Sequence, residues 1–410
     1  SEAIGPIDWV KFGERLQKRR TAAGLTQEWL ADRVGVTATT IRQLEHHNRK
    51  ARRSLMLKLL AVPELNLRVS DIELSAELSA GYRHTPTSWL GPTYDPVGMV
   101  TELAETLNGQ SGQLEQTLVY IDPQSAKDWM TTCSSPEYGP EYRDSMPLPT
   151  MARRIAELVG EHALTVNALG CGDGRTEALL TKYLQHQLRM PKQTELFLLD
   201  VSHSLLNAAY RHCCETLPDI RTYTIHGSFL DLPKMPMLVN PLRGRSRLYA
   251  MLGGTLLNLT DELRYFRDTL NCCAPGELFL CDVLIARAPT TDRQKILKLD
   301  PIGDGRLRPS HATWLSGPIR RYCQGAEDVD IRWELAPPGG VPGSYGFDAI
   351  ARVKMRDGRP DRRFLMWRVR RYDPKLLSDS LAELGWKTIE RIDYGPDGKK
   401  TLALMLLQKQ

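Results

Sequence analysis

The chain has no Cys-x-x-Cys spacing and no basic, apolar opening stretch. Nor does it contain an apolar run near the roughly 18 residues that a membrane-spanning helix needs. Its eight cysteines include two vicinal pairs, Cys213-Cys214 and Cys272-Cys273. That pattern fits neither a zinc site nor a disulfide framework, and predicts no metal and a reducing, cytoplasmic compartment. The start, Ser1-Glu-Ala-Ile-Gly-Pro, predicts no secretory leader, and the missing apolar run predicts no membrane partner. Excess charge is small over the whole, +5, but it is uneven. Residues 1–60 hold twelve Lys and Arg against six Asp and Glu, so the rest of the chain sums to −1. A basic leading module on a near-neutral body points to an anionic partner for that module.

A length of 410 residues predicts two or three domains. Phe12 to Ala23 reads as a helix ended by Gly24. Thr26 caps a helix over Gln27–Val34, Gly35 turns the chain, and Thr37 caps Ala38–His46. A further helix, Ser54 to Ala61, closes the unit. The run from Gly24-Leu-Thr-Gln-Glu-Trp to Ile41-Arg-Gln-Leu-Glu45 resembles the helix-turn-helix domains of the Xre/Cro repressor family in order and spacing. That resemblance implies that the helix from Ala38 enters a major groove, with Gln27, Thr37, Thr39, Thr40, Arg42 and Gln43 as DNA-binding residues. Arg49, Lys50, Arg52 and Arg53 would hold phosphates. The segment after Glu45, beginning His46-His47, lacks the family's Gly-x-x-x-Pro turn, and such small helical domains also serve dimerisation or protein binding. Domains of this type work as dimers on two half-sites, so a homodimer is expected.

The segment 165–174, Thr-Val-Asn-Ala-Leu-Gly-Cys-Gly-Asp-Gly, is a β-rich run that ends in a glycine turn before a helix at Arg175. Glycine lets backbone approach a ligand, and the helix start offers free N–H groups. A second run, Glu195-Leu-Phe-Leu-Leu, ends in Asp200, where an acid can hold ribose hydroxyls. Together they point to an adenosine-type cofactor. Further strands read at 221–226, 247–252 and 277–284, with a helix over Met151–Val159. The chain closes with a helix, 376–384, and two strands, 387–394 and 401–407.

That terminal hairpin beside a parallel sheet resembles the class I methyltransferases, which use S-adenosylmethionine. The expected fold is therefore a class I Rossmann-like α/β sheet with a terminal antiparallel hairpin, behind an all-α helix-turn-helix domain. Phe197-Leu-Leu-Asp-Val-Ser-His-Ser-Leu-Leu and Leu252-Gly-Gly-Thr-Leu-Leu-Asn-Leu-Thr are similar to the histidine-specific methyltransferase family of ergothioneine biosynthesis, as is Ser135-Pro-Glu-Tyr. The resemblance implies cofactor contacts from Gly170, Gly172, Asp173, Gly174, Asp200, Val201, Ser228, Phe229 and Gly253. It assigns Asn258 and Tyr138 to catalysis and substrate binding, and Trp367 to the substrate pocket or to the core. Ser228 stands where the family has an Asp beside the adenine amine. The expected domains are 1–65 (helix-turn-helix), 66–125 (linker or lid) and 126–410 (methyltransferase), with an insertion at about 287–365 that lids the pocket.

The family's imidazole grip is a Glu-x-Ser-x-Lys-Tyr stretch, and here Trp367-Arg-Val-Arg-Arg-Tyr372 stands in its place. A pocket built to bond a substrate N–H loses heavily without those partners, so free histidine is not the expected acceptor. An amino acid, a peptide or a related small metabolite is. Tyr142 is a second candidate pocket phenol or a surface residue, and Arg320 and Arg321 could meet an acidic substrate or solvent. The alternative is a regulator whose methyltransferase-like domain senses S-adenosylmethionine or another ligand. A DNA methyltransferase is disfavoured, because neither an Asp/Asn-Pro-Pro-Tyr motif nor a Pro-Cys dipeptide occurs and the catalytic half lacks basic charge.

Overall fold

The computed structural model describes residues 9–46, 55, 58–59, 62–65, 88–109, 112–135, 138, 143–188, 194–240, 244–287, 292–356 and 358–410. The chain divides into two compact units, Ser1–Leu90 and Gly91–Gln410.

In the first unit α1 (Trp9–Ala22), α2 (Gln27–Val34) and α3 (Ala38–Glu45) follow the sequence punctuation. The Thr26 hydroxyl accepts from Trp29 N–H, and that of Thr37 from Thr40 N–H. Gly35 turns the chain between α2 and α3 at φ 72°, in the left-handed region that glycine reaches without a Cβ clash. The helices close over Phe12, Leu16, Leu30, Ile41 and Leu44, all buried. Glu45, 1% exposed, is held by Arg20 through bonds of 2.6 and 2.9 Å and by Gln27 at 2.7 Å. Most of the expected helix over 54–61, together with His47, Arg49, Lys50, Arg52 and Arg53, lies outside the described residues.

The second unit opens with α4 (Pro96–Asn108), α5 (Pro123–Cys133) and α6 (Leu148–Val159). Strands and helices then alternate: β1 (Ala163–Leu169), α7 (Arg175–Gln187), β2 (Glu195–Asp200), α8 (His203–Thr216), β3 (Arg221–His226), β4 (Arg245–Met251) and β5 (Leu278–Ile285). Between β5 and the chain end lie α9 (Arg293–Leu299), α10 (Pro309–Tyr322), β6 (Ala326–Leu335), β7 (Tyr345–Met355) and β8 (Arg362–Tyr372). Last come α11 (Pro374–Glu383), β9 (Trp386–Tyr394) and β10 (Leu402–Lys409).

Strands β3-β2-β1-β4-β5 lie side by side and parallel. β10 then adds antiparallel to β5, from Leu402 opposite Leu284 to Gln408 opposite Leu278, and β9 pairs antiparallel outside it. Every residue of β1 is buried, as a parallel strand covered on both faces requires. The segment expected as an insertion carries α9, α10, β6 and β7. β8 joins the end of β5 in parallel, at Leu284–Arg371 and Ile285–Tyr372, and carries β7 and β6 antiparallel beyond it.

Candidate active site

The loops after β1, β2, β3 and β4 meet over a cavity of about 930 Å³. Such crevices beyond the carboxyl ends of parallel strands are where open α/β sheets bind ligands. Gly170, Gly172, Asp173, Asp200, Val201, Phe229, Gly253, Asn258 and Tyr138 all line it, so nine of the residues singled out in the sequence come together. Glycine is needed at two of these turns. Gly170 has φ 71°, and a Cβ there would lie 3.1 Å from Thr255 Cγ2. Gly172 has φ 53° with nothing within 4 Å of its missing Cβ, which leaves open space above the turn.

Asp200 ends β2 with its carboxylate fixed by two backbone donors, Gly172 N–H at 2.9 Å and Ser202 N–H at 2.8 Å. It is 7% exposed, and burial pushes its pKa up to about 6 against the pull of those donors. Fully buried Asp282 on β5 accepts from Gly254 N–H at 3.2 Å and so fixes the Gly253–Gly254 turn that follows β4. That turn leads into the short helix Thr255–Asn258, which places Asn258 in the wall. Across the cavity the Tyr138 hydroxyl donates to the Gly253 carbonyl at 3.5 Å.

Five sequence-picked residues stand elsewhere. Gly174 does not line the cavity. Its φ of 73° starts α7, and an added Cβ would meet Ala209 Cβ at 2.7 Å, so it packs turn against α8. Ser228 is also outside the lining and caps the following turn by accepting from Leu230 N–H. Trp367 is 8% exposed and sits in an aromatic cluster, its ring 5.3 Å from Trp314 and stacked 5.6 Å from His311. It is core rather than pocket wall. Neither Arg320 nor Arg321 lines the cavity. Arg321 reaches Asp122 and Ser125 at 2.6 Å each, tying α10 to the start of α5. Tyr142 lies outside the described residues.

Several wall residues carried no signal in the sequence. Arg143, Tyr120, Trp129, Tyr265, Leu365 and Arg368 arrive from scattered loops and elements. Glu177 could have been found, since it is the third residue of the helix that the glycine turn opens. It is 4% exposed, and burial raises its pKa to about 8. The three guanidiniums in the wall are each beside a carboxylate. Arg143 is 3.7 Å from Asp173, Arg264 is 3.2 Å from Asp268, and Arg368 bonds Asp348 at 2.6 and 2.8 Å. Glu102, Glu115 and Asp261 also line the wall, and no basic side chain among the described residues pairs with them. The cavity is therefore acidic.

In the first unit, Thr39 and Arg42 are exposed on α3, and Gln43 is half-buried on the same helix. The hydroxyls of Thr37 and Thr40 lie 3.0 Å apart. Gln27 is occupied by Glu45 and receives Arg42 Nε at 3.4 Å.

A glycine turn after β1, an acid at the end of β2 and an antiparallel last strand beside β5 define a Rossmann-like methyltransferase fold. Residues 99–285 match the model of the family described as histidine-specific methyltransferase, SAM-dependent, and residues 11–63 match that of a helix-turn-helix domain. One region of the chain thus matches a helix-turn-helix domain, and a second matches the histidine-specific, S-adenosylmethionine-dependent methyltransferase family. It is also similar to the solved CcbJ methyltransferase of Streptomyces caelestis, at 15% identity over 65% of this chain and 97% of that one, with a TM-score of 0.35. The sugar N-methyltransferase KedS8 of a Streptoalloteichus species gives 13% identity over 69% and 93%, with a TM-score of 0.36. The glycopeptide N-methyltransferase MtfA complexed with S-adenosylmethionine gives 14% over 64% and 94%, at 0.31. No curated protein matches the chain.

S-adenosylmethionine is the cofactor of this family, and the site's own features fit it. Open space lies above Gly172, a fixed carboxylate stands at Asp200 for a vicinal diol, and Arg143 Nε is buried without a partner.

Proposed function

We propose that the second unit transfers a methyl group from S-adenosylmethionine to the nitrogen of a small amine, amino acid derivative or peptide. The observation that carries this reading is the cavity that gathers Gly170, Gly172, Asp200, Phe229 and Gly253 opposite Asn258 and Tyr138. The bound cofactor supplies an electrophilic methyl group. The protein's task is then to hold the acceptor nitrogen deprotonated, aligned and close, in a site that sheds water. Asn258 and Tyr138 orient the acceptor, and a wall carboxylate or water takes its proton. With its guanidiniums all beside carboxylates and Glu102, Glu115 and Asp261 without basic partners, the wall favours a basic amine over an acidic acceptor. Trp367 and Val369 replace the imidazole-gripping pair, which argues against free histidine.

The test is incubation of the full chain with S-adenosylmethionine and a pool of amines and peptides, read by mass spectrometry. The expected result is S-adenosylhomocysteine formed together with an N-methylated member of the pool, and lost in Asp200→Asn. Cofactor binding without turnover of any member would favour the second reading, a ligand-sensing regulator. The helix-turn-helix match favours that reading as far as DNA is concerned. On either reading the first unit binds two half-sites as a homodimer, with Thr39, Arg42 and Gln43 of α3 facing bases.

A further inference from the structure

The cofactor reading leaves one end of the ligand without partners. Asp200 stands at the end of β2 for the ribose, and the turn Gly170–Asp173, bonded to it through Gly172 N–H, runs from β1 to the start of α7. The amino-acid end of S-adenosylmethionine carries a carboxylate and an ammonium on one carbon. A guanidinium and a carboxyl group line the cavity beside that helix start, and neither has a role so far.

Arg143 is the first. Its Nε is buried and has no hydrogen-bond partner. Its Nη2 is 3.7 Å from Asp173 Oδ2, a Coulombic neighbour beyond hydrogen-bond reach. A guanidinium with an open edge is a fork shaped to take a carboxylate through two N–H donors. Glu177 is the second. It lies in the first turn of α7, nearly out of solvent, and its carboxylate meets only its own backbone N–H among the described residues. Burial makes its ionised form costly and holds it largely protonated at neutral pH, and an arriving cation would favour the carboxylate, with release of the proton to solvent. The two side chains are close enough for the Arg143 charge to favour the ionised form of Glu177. Neither residue is among those that the family resemblance assigned.

We infer that Arg143 and Glu177 form a zwitterion clamp for the amino-acid end of the cofactor, the guanidinium taking its carboxylate and the Glu177 carboxylate its ammonium. This rests on the reading of the cavity as the S-adenosylmethionine site. It makes affinity depend on the amino-acid moiety as well as on the nucleoside.

Calorimetry separates the two claims with two probes, S-adenosylhomocysteine and 5′-methylthioadenosine, which keeps the nucleoside and lacks the amino acid. Full-length wild type is expected to bind the first more tightly than the second. In Arg143→Met and in Glu177→Gln, affinity for S-adenosylhomocysteine should fall about tenfold or more, the scale of a lost charge-assisted hydrogen bond. Affinity for 5′-methylthioadenosine should stay within about twofold, which also shows that the nucleoside site is intact. Unchanged affinity for S-adenosylhomocysteine in both variants would overturn the clamp while leaving the cofactor reading standing. So would an equal loss for both probes. Failure of wild type to bind either probe would overturn the cofactor reading itself.

Discussion

At the scale of single residues the site depends on a few carboxylates and glycines whose roles separate cleanly. Asp200 is held up to about 6 by burial, so it is ionised at neutral pH and takes up a proton just below it. Ribose hydroxyls need the charged acceptor. Affinity for 5′-methylthioadenosine, which does not reach Glu177, should thus be flat above about pH 7 and fall about tenfold per unit below about pH 5 to 6, as the proton competes. Titration by calorimetry from pH 5 to 8 checks this, and Asp200→Asn should flatten the profile. The last two glycines of the turn divide fold from function. Gly174→Ala drives a Cβ to 2.7 Å from Ala209 at a φ of 73° and should cost about 2–3 kcal/mol, read as a lower Tm. Gly172→Ala meets no protein atom within 4 Å, so it should cost only about 1 kcal/mol of strain while lowering cofactor affinity.

At the scale of elements, the Arg20–Glu45 pair ties α1 to the end of α3. Glu45 has no exposed side-chain surface and Arg20 has little. Arg20→Met would leave a buried carboxylate with only Gln27, at a cost of about 3 kcal/mol to the first unit. Amides of α2 and α3 should then exchange faster in the full chain, with those of β1 and β4 unchanged. Much at this scale was legible in the sequence. The strands β1 to β5, β9 and β10 fall within about two residues of their apolar runs, because runs bounded by glycine and polar turns admit little else. The strands β6 to β8 were not. β8, Arg362-Arg-Phe-Leu-Met-Trp-Arg-Val-Arg-Arg-Tyr372, carries five arginines, yet Arg370 and Arg371 are 4% and 6% exposed. Their partners, Glu262 and Asp300, are about 70 or more residues away in the chain, and Arg368 meets Asp348 on β7. Ion pairing across such separations has no local signature. The same holds for the site. Gly170, Gly172, Asp200 and Asn258 belong to compact motifs, whereas Arg143 reaches the cavity only through tertiary folding, and Trp367 became core because His311 and Trp314 of α10 pack on it.

At the scale of the whole molecule, two units with separate cores imply that ligand binding stabilises one of them directly. At about a hundredfold excess over Kd, S-adenosylhomocysteine should add about 2.7 kcal/mol to the second unit. Hydrogen exchange should slow across β1, β2 and β4, with no change in α2 and α3. The most direct test of the account is a calorimetric titration of the full chain with S-adenosylmethionine at pH 7.5, repeated with Asp200→Asn. The account predicts one site per chain, with affinity cut about a hundredfold or more in the variant, the scale of a lost charged hydrogen-bonding group in a buried site. No heat with wild type, or equal affinity in the variant, would contradict it.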